Sequence, residues 1–168
     1  MFRTALRLCR GHEADAEDLL QDAVLRALDG YAQLREPSAA RSWLFTILSR
    51  THLNRLRAQR RRAEMVSADL DDPSFEAALA DWAPSPSPAD DVEIGQLGEQ
   101  LTRALDGLPP ELRSVVLLVD VEGFTQREAA GMVGVPEGTV ASRLFRARRQ
   151  LRATLQAPAR DARLGRHQ

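Results

Sequence analysis

The sequence predicts an all-α protein made of two small helical domains joined by a flexible acidic linker. Three observations carry that expectation. Apolar residues recur at three- and four-residue spacing along most of the chain, which gives helices with one buried face. Charge is sorted into blocks: Arg41 to Arg62 holds arginines and no acids, Glu64 to Glu93 holds acids and no bases, and arginine dominates again after Glu137. Within the acidic block a Pro-Ser-Pro-Ser-Pro run at 84–88 makes an extended spacer, stiffened by proline and stretched by self-repulsion. A chain of 168 residues has room for two such domains.

The totals exclude several classes. Net charge is -1 and the pI is about 6.3, so only the distribution of charge, not its sum, points to nucleic acid. Every basic side chain apart from the histidines is arginine. The lone Cys9 has no partner for an internal disulfide and no histidine at ligand spacing, which fits a reducing cytoplasm and predicts neither metal nor cofactor. No apolar run approaches membrane-spanning length, and no signal-peptide core opens the chain, so a soluble, unexported protein with no membrane insertion is expected.

Taken in order, Phe2, Leu6 and Cys9 mark a short first helix that Gly11 ends. Glu13 to Leu28 is an amphipathic helix with Ala16, Leu19, Leu20, Ala23, Leu25, Ala27 and Leu28 on its apolar side. Its early acids oppose the positive end of the helix dipole. Gly30 and Pro37 bracket a loop, and Ser38 is a suitable cap for the next helix, whose core side is Trp43, Leu44, Ile47 and Leu48. A break is expected near Ser49 to His52. Beyond it Leu53 and Leu56 pack while Arg55, Arg57, Arg60, Arg61 and Arg62 face out, a density suited to neutralising phosphates.

Residues 64–91 are read as the linker, with Phe75, Leu79 and Trp82 forming a short sticky turn. Its aspartate pairs, 71–72 and 90–91, lack the glycine turn and fixed spacing of an oxygen-ligand loop, so they read as solvated linker. From Val92 to Leu105 a helix presents Ile94, Leu97, Leu101 and Leu105. Pro109-Pro110-Glu111 restarts the chain into Leu112, Val115, Val116, Leu118 and Val119, and Gly123 ends that helix. Residues 157–168 form a basic tail.

The stretch from Phe124 to Leu151 reads as a helix-turn-helix. Thr125 and Glu128 make a capping box at the first helix's start, and Gly134 supplies the backbone freedom for the reversal. Pro136 suits the first turn of the second helix, where its missing N–H has no intrahelical partner. Val140, Leu144, Ala147 and Leu151 mark the buried side of that helix. The other side carries Glu137, Thr139, Ser142, Arg143, Arg146, Arg148 and Arg149. Such a helix suits a DNA major groove, with its early residues reading bases and its later arginines meeting phosphates.

Three blocks in fixed order make this specific: Leu-Pro-Pro-Glu-Leu-Arg-Ser-Val-Val-Leu-Leu at 108–118, Asp-Val-Glu-Gly-Phe-Thr at 120–125, and Gly-Val-Pro-Glu-Gly-Thr-Val-Ala-Ser-Arg-Leu-Phe-Arg at 134–146. They resemble region 4 of a sigma factor, most of all the extracytoplasmic-function group of the sigma-70 family. The resemblance covers nearly the whole chain apart from linker and tail. It implies sigma region 2 over 1–63 and sigma region 4 over 92–156. It also implies more of the first helix than this chain carries ahead of Phe2.

By the same resemblance, Asp-Leu-Leu-Gln-Asp at 18–22 matches the surface that docks on the β′ clamp helices of core RNA polymerase, which nominates Asp18, Gln21, Asp22 and Arg26. The β flap is the second contact. Minus-ten recognition falls to Arg50, Thr51, Asn54, Arg55, Arg57, Arg60 and Arg61, with a flipped base held in a loop at Arg50 and Thr51. Family members often carry asparagine where Arg50 stands. Minus-thirty-five recognition falls to the seven residues of the second helix named above, and an anti-sigma factor is an implied partner.

Two other readings stay open on the residues alone. A stand-alone helix-turn-helix regulator explains 108–151 but not the second arginine face or the acidic helix. A sigma-mimicking adaptor that sequesters an anti-sigma factor keeps the helices without needing the arginines. Nothing marks an enzyme: His12, His52 and His167 are scattered, and no serine, cysteine or carboxylate has an evident activating partner.

Overall fold

Small side chains at helical spacing decide how the first half packs. The structure, a computed structural model, describes residues 1–69 and 96–156, and every regular element among them is helical. Helix α1, Phe2–Leu8, buries Thr4, Ala5 and Leu8. The chain then reverses through Arg10 and Gly11, both at positive φ. Helix α2, Glu13–Gly30, buries Ala16, Leu19, Ala23 and Ala27. That stripe lets α1 and α3 approach α2 closely. The wider apolar face expected for α2 is corrected: Leu25 and Leu28 are 54% and 68% exposed, because they fall on the side away from the alanine stripe.

Two 3-10 turns, Tyr31–Gln33 and Pro37–Ala39, fill the expected loop. Ser38 lies inside the second turn, ahead of α3, so it is not that helix's cap. Helix α3, Ala40–Asp69, is one continuous element. The predicted break at Ser49 to His52 is absent. Ser49, Thr51 and His52 are buried together with Leu48 and Leu53, so this polar stretch faces the interior of the fold and is not a loop. Trp43 is only half-buried and packs on Gly30, where an added Cβ would lie 3.3 Å from its Cζ2. The buried aromatic is its neighbour Phe45. Helix α3 also runs on into the stretch read as linker. The sticky turn, the aspartate pairs, Ile94 and the basic tail lie outside the described residues.

In the second half, α4 is Gln96–Asp106, α5 is Pro110–Val116 continued by a π turn over Leu117–Val121, α6 is Gln126–Val133 and α7 is Glu137–Gln156. Leu101, expected in the core, is 43% exposed, while Ala104 and Leu105 take the buried side of α4. The capping box is present: the Thr125 hydroxyl accepts from the Glu128 amide at 3.2 Å, and the Glu128 carboxylate accepts from the Thr125 amide at 2.8 Å. Gly134 turns the chain at φ 73°, a left-handed conformation that disfavours a Cβ. Val140, Leu144 and Ala147 are buried beneath α7.

The two helical units are both present, and they interlock. Phe45 and Leu53 of α3 belong to the core formed by Leu105, Leu108, Val115, Phe124, Met132, Val140 and Leu144. Conversely, Leu117 reaches into the core of Ala5, Leu8, Ala16, Leu19 and Leu48. Arg113 is the largest of the fully buried side chains. Its guanidinium donates to the carbonyls of Leu105, Leu8, Asp106 and Leu108 at 2.9, 3.1, 2.7 and 2.7 Å. Burial lowers its pKa to about 10, aided by nearby Arg10.

Candidate nucleic-acid interface

Helix α7 is positioned by the core beneath Val140, Leu144 and Ala147, which leaves its opposite side in solvent. Glu137, Ser142, Arg146, Arg148 and Arg149 are exposed there, while Thr139 and Arg143 are half-buried. The Ser142 hydroxyl donates to the Thr139 carbonyl at 2.9 Å. Arg148 is committed to a forked pair with Asp120, at 2.6 and 3.1 Å, which raises its pKa. Arg146 and Arg149 stand clear in solvent.

One residue on this face went unnoticed in the sequence. Phe145 is 69% exposed and shares a side of α7 with Ser142 and Arg149. Its signal was available: it stands out of phase with the apolar series Val140, Leu144, Ala147 and Leu151. A solvated aromatic among arginines offers an apolar surface to a thymine methyl or a sugar.

The second arginine set lies along α3, and most of it is engaged with the chain itself. Arg50 donates to the carbonyls of Met132 and Gly131 at 3.3 and 3.0 Å, at the end of α6. Thr51 is 4% exposed. Asn54 accepts from Arg57 at 3.2 Å. Arg55 binds the Asp22 carboxylate at 2.6 Å and the Asp18 carbonyl at 2.9 Å, so it joins α3 to the acidic helix. Arg60 pairs with Glu111 at 2.8 Å. Burial pushes the Glu111 carboxyl up, but its own backbone amide and Arg60 outweigh that and hold it below the ordinary range. Arg57 and Arg61 are exposed.

Arg57, Arg60, Glu111 and Arg143 line one cleft of about 220 Å³ between α3 and the helix-turn-helix. The structure therefore brings residues of the two arginine sets together. On α2, Asp18, Gln21 and Arg26 are exposed and Asp22 is half-buried. Leu25 stands exposed beside them, three and four residues on from Asp22 and Gln21, and adds an apolar contact to that surface.

No group of histidine, cysteine, aspartate or glutamate side chains among the described residues is arranged to hold a metal ion. No helix among them is long and apolar enough to cross a membrane.

Comparison with known proteins gives concordant matches to both halves. A family model described as Sigma-70 region 2 matches residues 1–62, and one described as Sigma-70, region 4 matches residues 98–151. The chain is 37% identical over 153 residues to the ECF RNA polymerase sigma factor SigE of Mycolicibacterium smegmatis, covering 90% of this chain and 56% of that protein. It thus spans little more than half the length of that relative. It is 35% identical to the ECF RNA polymerase sigma factor EcfG of Rhodopseudomonas palustris, covering 86% of this chain and 74% of that one. Identity to the ECF RNA polymerase sigma-E factor of Escherichia coli K12 is 33%, covering 80% and 70%. Among solved structures it is similar to the sigma factor RpoE of Bartonella quintana, crystallised with the anti-sigma factor NepR. There the TM-score is 0.68 at 26% identity, covering 94% of this chain and 90% of that one.

Proposed function

The chain belongs to the sigma-70 family, in its extracytoplasmic-function group, and on that premise we propose that it joins core RNA polymerase and directs initiation at promoters carrying its own minus-thirty-five and minus-ten elements. The observation that carries this reading is the order of parts: an acidic helix, an arginine helix, an acidic tether and a second arginine helix on a helix-turn-helix. A stand-alone regulator needs only the last of these.

In this reading Asp18, Gln21, Asp22 and Arg26 of α2 meet the β′ clamp helices, and the region 4 unit meets the β flap. Helix α7 enters the major groove of the minus-thirty-five element, with Glu137, Thr139, Ser142 and Arg143 toward base edges and Arg146, Arg148 and Arg149 toward phosphates. Arg50, Thr51, Asn54, Arg55, Arg57, Arg60 and Arg61 serve the minus-ten element. There, capture of unpaired bases trades pairing and stacking in the duplex for contacts with protein, so opening is a binding step and needs no hydrolysis.

Residues 1–63 and 92–156 act as the two readers, 64–91 as tether and 157–168 as a basic tail. Two weak readers on one tether gain effective concentration once the first is bound, provided the second site is within reach. The protein works in the cytoplasm, where its polymerase is, and an anti-sigma factor restrains it, as NepR accompanies the Bartonella RpoE.

Transcription in vitro with core polymerase, followed by mapping of start sites, tests the reading. Starts at discrete promoters that depend on the added chain are expected. Operator binding by the chain alone, with no effect on core polymerase, would overturn it.

A further inference from the structure

We propose that the cleft between α3 and the helix-turn-helix is a site for the phosphoryl group of a small phosphorylated molecule, held by guanidiniums from both halves of the chain. Arg57 and Arg60 stand three residues apart on α3 and so share a face, and Arg143 comes to the same cleft from α7. Glu111 is the one carboxylate in the lining, and Arg60 already holds it at 2.8 Å. Three guanidiniums against one carboxylate leave an excess of two positive charges. Arg143 is half-buried, and it makes no hydrogen bond or ion pair among the described residues.

A charge partly withdrawn from water is costly without a counter-charge, and like charges gathered around one volume repel one another. One group answers both. A phosphoryl group carries about −1.5 to −2 at pH 7, which matches the excess, and its three oxygens accept from several directions at once. A carboxylate offers two oxygens in one plane, enough for a single guanidinium fork. Leu53, Leu56, Val133 and Val135 make up the rest of the lining, so a ligand's organic part meets apolar walls as well as charged ones. At about 220 Å³ the cleft falls short of the roughly 300–1,000 Å³ of sites that enclose a drug-sized ligand. It suits a compact phosphate ester whose remainder stays partly in solvent. Such a ligand draws on guanidiniums that promoter phosphates also need, so the two compete.

Isothermal titration calorimetry on the full-length chain tests this with inorganic phosphate, AMP and adenosine. The salt is set at about 0.15 M, where the Debye length is about 8 Å and scattered surface arginines hold such anions poorly. One saturable site is expected for phosphate and for AMP, and none for adenosine. Tighter binding of AMP assigns the apolar walls to an organic moiety, whereas equal binding assigns the site to inorganic phosphate; both outcomes support a phosphoryl site. Arg57→Gln, Arg60→Gln and Arg143→Gln should each weaken binding roughly tenfold, the loss of about one charge-assisted hydrogen bond. Arg61→Gln and Arg149→Gln, at exposed positions outside the cleft, should leave it nearly unchanged.

Glu111→Gln is the second arm. It removes the cleft's own anion and frees Arg60, so binding should tighten, a gain that misfolding cannot imitate. The proposal is overturned by any of four results: no saturable binding at millimolar phosphate or AMP, adenosine binding as AMP does, losses in Arg61→Gln and Arg149→Gln as large as in Arg143→Gln, or weaker binding in Glu111→Gln. The measurement needs neither polymerase nor promoter, so its failure leaves the sigma-factor reading standing.

Discussion

The guanidinium of Arg113 reaches the carbonyl of Leu8 at 3.1 Å, so a charge rooted in the second half of the chain satisfies the end of the first helix of the other half. Its remaining donors close the α4–α5 corner on Leu105, Asp106 and Leu108. Arg113 is itself only 1% exposed, so these bonds are made out of water; of the four carbonyls, that of Leu105 also accepts from the Leu108 amide at 3.1 Å.

Replacing Arg113 by methionine therefore leaves buried acceptors without donors. A loss of roughly 3 kcal/mol or more is expected, since each unsatisfied buried polar group costs about 1–3 kcal/mol. Urea unfolding followed by circular dichroism measures it. A loss below about 1 kcal/mol would show that the corner relaxes to find other partners.

His52 sets an acid limit on stability. Its Nε2 is buried with no hydrogen-bond partner among the described residues, and burial, reinforced by Arg113 and Arg55, lowers its pKa to about 4. Because the folded value lies below the unfolded value near 6.5, the folded state favours the neutral ring. That contribution is complete above pH ~6.5 and is lost as pH falls toward 4, reaching on the order of 3 kcal/mol. His52→Leu should flatten the stability–pH curve across that window. An unchanged curve would place the acid sensitivity elsewhere.

Gly134→Ala isolates a backbone effect. An added Cβ meets nothing within 4 Å, but φ is +73°. Left-handed backbone costs a non-glycine residue about 1–2 kcal/mol, so thermal unfolding should fall by that amount. Gly134→Asn should cost less, because asparagine tolerates this conformation.

Arg143→Ala and Arg149→Ala should separate reading from anchoring. The first should lose on the order of 1–3 kcal/mol on minus-thirty-five DNA and relax discrimination against scrambled sequence. The second should weaken both DNAs alike and lower the salt slope by about one. Equal losses on specific and scrambled DNA for Arg143→Ala would remove it from the base readers.

Asp120→Asn frees Arg148 from its forked pair. Because Arg148 is 54% exposed, the loss of stability should stay within ~1 kcal/mol. The released guanidinium should instead steepen the salt dependence of DNA binding by about one phosphate contact. A shallower slope would show that the pair, not the free arginine, is what meets DNA.

Local chemistry was decided by residues close in sequence. The Thr125–Glu128 box, the left-handed turn at Gly134 and the buried series Val140, Leu144 and Ala147 each depend on spacings of a few residues, so the sequence determined the helix-turn-helix and its solvent-facing arginines. It determined the all-helical class for the same reason, and the ordered blocks on both sides of the tether determined the family. The break expected at Ser49 to His52 failed because polar residues mark a loop only when water is their partner, and here they are buried. Which arginines stand free was equally beyond reach. Arg50, Arg55, Arg60 and Arg148 look alike in sequence to Arg57, Arg61, Arg146 and Arg149, yet the first four are bonded to groups between 28 and 82 residues away. The partners of Arg50 and Arg60 meet them only where the two halves close on a shared core, and those of Arg55 and Arg148 only where helices pack within one half, so tertiary packing alone made that choice.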